Sequence, residues 1–260
     1  IRIAYDGERR TRYFVIAGFA AALTAADELP ALTFLGLIGV LLLWNAPWKT
    51  LTTFVPAMLV VVAAFFATNW IAHESLRPPY MHRGEGDNWY SYEYELKGRT
   101  IKSYWLDRQG IDRGEPSKLT YAVHVLVGHH GVFSLTPIWL LSIVGALMWL
   151  WSPDASRRQL AAGTLLIAVI CLVFFIALRP LQDRNYGGMT SGFRWMFWCA
   201  PLWLVVMIPA ADRLARSTTG MAFAALLLTF SVLSVSYPTW NPWTHPWIYH
   251  WMEWTGWKGF

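Results

Sequence analysis

Charged residues are scarce in this sequence. Only 14% of its 260 residues are Asp, Glu, Lys or Arg, whereas 55% are hydrophobic. The charges are grouped between long apolar runs, and this pattern excludes an ordinary soluble domain. It predicts an all-α polytopic membrane protein. The middle of each apolar run carries no Asp, Glu, Lys or Arg, which argues against ion or proton-coupled transport, because such pathways need ionisable groups within the membrane.

Several motifs of known chemistry are missing as well. The two cysteines, Cys171 and Cys199, form no CxxC pair and fall in apolar runs, which indicates buried, inert thiols. Without an HExxH motif or a His-rich tract, the sequence predicts no set of metal ligands, although a divalent metal stays open as a cofactor. The sequence has no Gly-x-Ser-x-Gly motif, which would have indicated a hydrolase. The sequence also lacks a basic stripe with stacking aromatic residues, and we therefore expect no nucleic-acid partner.

Seven apolar runs predict about seven transmembrane helices. They cover residues 13–26, 31–44, 51–71, 132–151, 159–178, 192–210 and 220–235. The first two are short for a hydrocarbon core of about 30 Å, so a re-entrant helical pair is an alternative there. Many of the 17 Trp lie at the ends of these runs, where aromatic rings favour the membrane interface.

The runs divide the chain into four parts. These are an amino-terminal segment with spans one to three (1–71), a long loop (72–131), spans four to seven (132–235) and a Trp- and Pro-rich tail (236–260). Lys and Arg are enriched in the short turns that this arrangement puts on one side of the membrane. By the positive-inside rule, the amino terminus is then cytoplasmic, and the long loop and the tail are extracytoplasmic.

The long loop carries much of the water-facing chemistry, including eight of the sixteen acidic residues and five of the seven histidines. Residues 89–96 alternate in polarity and predict a strand, Lys97-Gly98-Arg99 a turn, and residues 100–106 a returning strand. A short interfacial helix is predicted from Ser117 to Val127. His124, His129 and His130 at the end of the loop are candidate substrate-binding residues. We expect them to face the same aqueous compartment as residues 179–195.

Residues 179–195, which we call the elbow, form the sharpest local signal. Flexible glycines, Gly187 and Gly188, follow Tyr186 just before span six, and Arg179, Arg184 and Arg194 surround them. Unpaired N–H groups at a helix amino terminus together with guanidinium groups predict a binding site for a lipid phosphate. The alternative is that the glycines form a tight turn and the arginines reach membrane phosphates.

The segment Tyr186-Gly187-Gly188, followed by Gly192-Phe193-Arg194-Trp195 at the head of a late span, carries a family resemblance. Together with the long loop and the short inner turns, it resembles the carboxy-terminal part of bacterial membrane glycosyltransferases of the GT-C class, in the protein-mannosyltransferase-like group. The resemblance covers spans three to seven. Phe193 stands where the motif is expected to have Pro.

The resemblance implies sugar transfer from a polyprenyl-phosphate donor at the extracytoplasmic face of a bacterial cytoplasmic membrane. It also implies a catalytic carboxylate in an early outer loop, for which Asp27 and Glu28 are the candidates. The chain starts at Ile1 and shows no signal peptide, so we expect a processed product or a fragment, with the base then upstream of residue 1. The alternative function is a non-enzymatic transport or accessory subunit whose outer loop and tail bind a protein partner.

Overall fold

The computed structural model describes Ile3, residues 7–78, Met81 and residues 91–257. Within these residues the chain is mostly helical, with one small antiparallel sheet of two strands. The chain divides into a first unit, Ile1–Gly110, and a second unit, Ile111–Phe260. The boundary between the two units therefore falls inside the predicted long loop.

Three helices build most of the first unit. They are α1 (Thr11–Asp27), α2 (Leu32–Asn45) and α3 (Pro47–His73), the last with a π-helical turn at Thr50–Phe54. Phe14 of α1, Leu42 of α2 and Phe54 of α3 pack into one buried apolar cluster. At Gly18 a Cβ atom would lie 2.3 Å from the backbone oxygen of Phe54, so this glycine lets α1 and α3 pack closely.

An acidic turn joins α1 to α2. The first helix ends at Asp27, and a 3-10 turn over Leu29–Ala31 leads into the second. These helices have 17 and 14 residues. A helix perpendicular to the membrane needs about 20 residues to cross the hydrocarbon core. The re-entrant pair therefore stays an alternative for this part of the chain.

The predicted hairpin is present but shorter than expected. Strand β1 (Glu93–Leu96) pairs with β2 (Arg99–Lys102). The two turn residues, Lys97 and Gly98, both have positive φ, as a two-residue hairpin turn of type I′ requires. Trp89 and Tyr90, at the predicted start of the hairpin, lie outside the described residues, and residues 104–106 form a 3-10 turn instead of continuing β2.

The described part of the second unit contains six helices of eight or more residues. They are α4 (Lys118–Leu126), α5 (Leu140–Leu150), α6 (Ala155–Val173), α7 (Ala200–Leu214), α8 (Thr218–Ser236) and α9 (Trp247–Trp254). A π-helical segment, Phe174–Leu178, continues α6, and a 3-10 segment, Arg194–Cys199, precedes α7. The predicted interfacial helix corresponds to α4 by its residue range. Ser117 caps this helix as predicted, since its side chain accepts a hydrogen bond from the backbone N–H of Thr120 at 3.2 Å.

Four helices in the described part of the chain are long and apolar enough to cross a membrane. They are Pro47–His73, Ala155–Leu178, Arg194–Leu214 and Thr218–Ser236, which match predicted spans three, five, six and seven. The remaining predicted spans are not confirmed.

The prediction of one continuous helix over residues 132–151 was wrong. Thr136 leaves the helical region, with φ −132° and ψ 68°, immediately before Pro137. Proline disfavours the helical conformation in the residue before it and has no N–H to donate, so the helix is interrupted there. What remains is a four-residue helix, Val132–Leu135, and a longer apolar helix, Pro137–Leu150.

Helices α5 to α8 follow one another with alternating direction. The connections over residues 151–154 and 215–217 are short, and α5 packs against α6 and α7, and α7 against α8. Short connections make neighbouring helices antiparallel. Consequently, residues 111–136, 179–193 and 237–254 emerge at the same end of these helices. We call this the histidine end.

Candidate functional site

A tight turn after α4 starts the site. His124 lies on α4, and His129 and His130 lie on the turn that follows. A Cβ atom at Gly128 would lie 2.4 Å from Nδ1 of His124, so only glycine lets the turn fold back this closely. The Ser134 hydroxyl donates to the Gly128 carbonyl at 2.6 Å and closes the turn.

The three histidines of the loop are in contact. The rings of His124 and His129 stack, with centroids 3.8 Å apart and planes inclined by 19°. Nδ1 of His129 lies 2.5 Å from Nδ1 of His130, so one ring donates a hydrogen bond to the other. The far side of His130 stacks on Tyr186 of the elbow. The structure thus brings together the two stretches that the sequence singled out.

The tail adds residues that were not predicted to belong to the site. The ring of His245 lies 5.7 Å from that of His130, and the ring of Tyr249 lies 5.4 Å from that of His129, measured between centroids. The indole N–H of Trp247 donates to the Ser234 hydroxyl at 2.8 Å and fixes the tail to α8. Helix α9 was not predicted either.

Burial keeps His124 and His130 uncharged near neutral pH. It lowers the pKa of His130 well below the usual range, and the neighbouring histidines lower it further. Burial also lowers the pKa of His124. For Tyr121 and Tyr186, burial raises the pKa of the phenol, so both keep their protons. The side chains can therefore give and accept hydrogen bonds as neutral groups.

Hydrogen bonds to backbone groups hold the elbow in one shape. The Tyr121 hydroxyl of α4 donates to the backbone carbonyl of Asn185 at 2.5 Å, and the Gly187 N–H donates to Oδ1 of Asn185 at 3.1 Å. The Arg194 N–H donates to the carbonyl of Tyr186 at 3.2 Å. Gly187 and Gly188 have φ values of 102° and 82°, which side-chain-bearing residues rarely adopt.

The three arginines of the elbow have different environments. Arg184 is buried and donates through Nη1 to the carbonyls of Glu115 and Pro116 at 2.9 and 2.8 Å. Arg179 lies 3.9 Å from the carboxylate of Asp183. Arg194 is half-buried and lies over the Trp195 ring, with its Cζ 5.1 Å from the centroid. Arg184 thus supports the backbone at residues 115–116. Compared with Arg184, Arg194 is better placed to bind a ligand.

Three N–H donors of the elbow are buried without an acceptor in the described part of the chain. They are Nε of Arg184, Nε of Arg194 and Nε1 of Trp195. Leaving a buried donor unpaired costs about 1–3 kcal/mol, and more where the group is charged. An anion at the elbow would satisfy such donors and would also offset the charge of the guanidinium groups.

The histidine cluster does not have the arrangement of a metal site. Among the described residues, no group of three or more His, Cys, Asp or Glu side chains is arranged to hold a metal ion. Two nitrogen ligands of a tetrahedral zinc ion, each at about 2.1 Å from the metal, would lie roughly 3.4 Å apart. The Nδ1 atoms of His129 and His130 are closer than that.

The predicted catalytic carboxylates lie in the first unit. Asp27 is the last residue of α1 and is exposed. Glu28 is half-buried, and its backbone N–H donates to the Thr24 carbonyl at 3.0 Å. Both therefore belong to the turn between α1 and α2, and their catalytic role stays a prediction.

Sequence reasoning missed His245, Tyr249 and Asn185. One signal pointed to the tail: the two histidines that lie outside the long loop, His245 and His250, are both found there. Comparisons with known protein families, with curated proteins and with solved structures found no match for this chain.

Proposed function

We propose that this protein is a membrane glycosyltransferase, or the carboxy-terminal part of one, that uses a polyprenyl-phosphate-linked sugar at the histidine end of the second unit. The observation that carries the proposal is the set of buried, unpaired N–H donors in the elbow. Two of them belong to arginines that have no carboxylate within 4 Å among the described residues, Arg184 and Arg194. A phosphate group has the charge and the acceptor oxygens that these donors need.

The proposed reaction is a displacement at the anomeric carbon of the sugar. The oxygen of the acceptor hydroxyl forms a bond to that carbon, while the bond from the carbon to the phosphate oxygen breaks. The lipid phosphate leaves with the electron pair, and Arg194 and the Trp195 N–H stabilise its charge. A carboxylate takes the proton of the acceptor hydroxyl. The resemblance implies such a base in an early outer loop, and Asp27 and Glu28 stay predictions for it.

The histidines of the loop, His124, His129 and His130, are proposed to orient the acceptor or the sugar. His129 and Tyr186 lie against each other, with ring centroids 4.9 Å apart, and border the elbow. Uncharged imidazole and phenol groups can bind sugar hydroxyls, because each can donate or accept a hydrogen bond. Arg179, Arg184, Gly187 and Gly188 are proposed to shape and support the phosphate site.

The Lys and Arg residues of the short segments along the whole sequence support an orientation in the membrane. Arg157, Arg158, Arg213 and Arg216 lie on or next to the two short connections opposite the histidine end. By the positive-inside rule, these connections are proposed to face the cytoplasm. The histidine end is then extracytoplasmic, as expected for an enzyme of a bacterial cytoplasmic membrane that uses a lipid-linked donor.

The test is binding of a polyprenyl phosphate to the full chain in lipid nanodiscs. Arg194→Gln should weaken binding by about tenfold to a hundredfold, because a hydrogen bond to a charged group contributes roughly 1.5–3 kcal/mol. Arg157→Gln, at the opposite end, is the matched control and should bind as the wild type does. Arg184→Gln is a poorer test, since it also removes two hydrogen bonds to the backbone.

The alternative is a non-enzymatic transport or accessory subunit. Large exposed aromatic side chains on the tail, including Trp240, Trp243 and Trp254, favour it, because aromatic residues are common in protein interfaces as well as at the membrane surface. If Arg194→Gln and the wild type bind polyprenyl phosphate equally, the phosphate site is absent and this alternative is preferred.

A further inference from the structure

A cavity of about 250 Å³ lies between α5, α6 and α7 in the second unit. Apolar side chains form nearly all of its wall, among them Trp139, Leu172, Met196 and Trp203. An apolar cavity of about 150 Å³ is already large enough to bind benzene. Two wall residues, Ile143 and Val169, expose 38% and 55% of their surface, so the cavity can be entered sideways from surrounding lipid.

Two hydroxyl groups in the wall have no hydrogen-bond partner. Ser142 and Thr164 both line the cavity, are 5% and 4% exposed, and have buried hydroxyl oxygens that no group in the described residues pairs with. This is unusual, because hydroxyl groups on apolar helices commonly bond to the carbonyl three or four residues earlier. A ligand that fills the cavity is therefore expected to carry a hydrogen-bond acceptor.

The two hydroxyls lie at a similar level of the helix pair. Ala146 of α5 and Ala161 of α6 belong to one buried cluster. Because the helices are antiparallel, Ser142 lies about 6 Å from that cluster toward the histidine end, and Thr164 lies about 4.5 Å from it in the same direction. One small polar group could thus be reached from both sides of the cavity.

The depth of Ser142 indicates what that polar group is. Ser142 lies roughly 8 Å beyond Pro137, the first residue of the apolar helix at the histidine end. The interfacial layer of a bilayer is about 5–8 Å thick on each side. With Pro137 taken as the outer edge of that layer, Ser142 lies at the boundary with the hydrocarbon core, where the ester groups of glycerolipids are found.

We propose that this cavity binds one acyl chain of a membrane glycerophospholipid, whose ester carbonyl accepts hydrogen bonds from Ser142 and Thr164. A polyprenyl chain has no acceptor along its length and would leave both hydroxyls unpaired. Water is a poor occupant because a buried water needs two to four polar partners, and nearly all of this wall is apolar. The inference does not rest on the proposed transfer reaction.

The experiment compares two lipids that differ only in the acceptor. The full chain is delipidated in detergent and titrated with dioleoyl phosphatidylglycerol or with its diether analogue, in which the ester carbonyls are absent. Native mass spectrometry measures the first bound lipid. The wild type should prefer the diester by about tenfold, since each hydrogen bond contributes roughly 0.5–1.5 kcal/mol. The double variant Ser142→Ala/Thr164→Val should lose this preference.

Two further variants make the result specific. Ala168 lines the cavity, so Ala168→Phe should reduce binding of both lipids by filling the space. Thr68→Val is the control, because the Thr68 hydroxyl lies on α3 and already donates to the Phe65 carbonyl. The diester and the diether carry the same phosphate headgroup, so the preference between them separates this inference from the phosphate site. Equal binding of diester and diether by the wild type would overturn the proposal, as would stronger binding of a polyprenyl phosphate that Ala168→Phe abolishes.

Discussion

The imidazole of His130 lies flat against the phenol ring of Tyr186, with ring centroids 4.4 Å apart and planes inclined by 15°. The two residues are 56 positions apart in the chain, and this stack joins the turn after α4 to the elbow. His130 is completely buried, and Tyr186 is nearly so. Since His129 and His245 approach His130 from other sides, a charge on this ring would meet neighbouring imidazoles and little water.

Acid should therefore destabilise the second unit. The folded protein holds His130 neutral because its pKa is lowered, whereas in the unfolded chain this pKa is near 6.5. Below about pH 6.5 the unfolded chain binds a proton that the folded protein does not, so stability is complete above this pH and falls as the pH decreases. The melting temperature in detergent, measured from pH 8 to pH 5, should decrease toward pH 5.

His130→Phe gives the matching variant. It keeps a ring stacked on Tyr186 but removes the titrating group, so the decrease toward low pH should become smaller. Thr68→Val, on α3 in the first unit, removes no titrating group and is the control; it should keep the wild-type pH dependence. A melting temperature that stays constant or rises on acidification would contradict the assignment.

Gly145 sets the distance between α5 and α7. A Cβ atom at this position would lie 2.1 Å from the backbone oxygen of Val206, which a side-chain rotation cannot relieve. Gly145→Ala should therefore separate the helices and destabilise the protein by about 1–3 kcal/mol, the usual cost of overpacking. Gly36→Ala is the matched control, because Gly36 is exposed in α2 and has open space around its Cβ position. It should stabilise the protein by up to about 1 kcal/mol. Thermal unfolding of both variants distinguishes packing from helix propensity.

Hydropathy was sufficient to predict the long spans, because an apolar run of 20 residues has few alternatives to a membrane helix. It failed at Thr136-Pro137, where the chain stays apolar while the backbone leaves the helix. The hairpin turn at Lys97-Gly98 and the capping by Ser117 were predictable from local chemistry, and the structure has both. Local signals of this kind act through neighbouring residues and need no knowledge of the fold.

The composition of the site was only partly predictable. His129, His130 and Tyr186 were singled out by residue type, and their contact follows from the alternating direction of the helices. Tyr249 joins the site because α9 folds back over the histidine end. The proline-rich sequence of the tail gave no reason to expect this fold. The supporting role of Arg184 was also hidden, because its partners are backbone carbonyls, which any sequence could provide.

Tyr121 connects α4 to the elbow through a single hydroxyl group. It is fully buried, and its hydroxyl donates to the Asn185 carbonyl. Tyr121→Phe leaves that buried acceptor without this donor and should cost about 1–3 kcal/mol. Tyr94→Phe, at an exposed position of β1, should change stability by less than about 0.5 kcal/mol. Equal melting temperatures for the two variants would mean that the hydroxyl of Tyr121 does not hold the elbow.

The two glycines of the elbow should respond differently to alanine. Both have positive φ, which costs a side-chain-bearing residue about 1–2 kcal/mol. At Gly188 a Cβ atom would enter open space, whereas at Gly187 it would lie 2.7 Å from Cβ of Arg194. Gly187→Ala must therefore displace Arg194 and should lower both the melting temperature and the affinity for polyprenyl phosphate. Gly188→Ala should lower the melting temperature alone, because it strains the backbone without moving the guanidinium group. If both variants lose stability and both keep their affinity, the position of Arg194 does not matter for binding, and the phosphate site must be sought elsewhere.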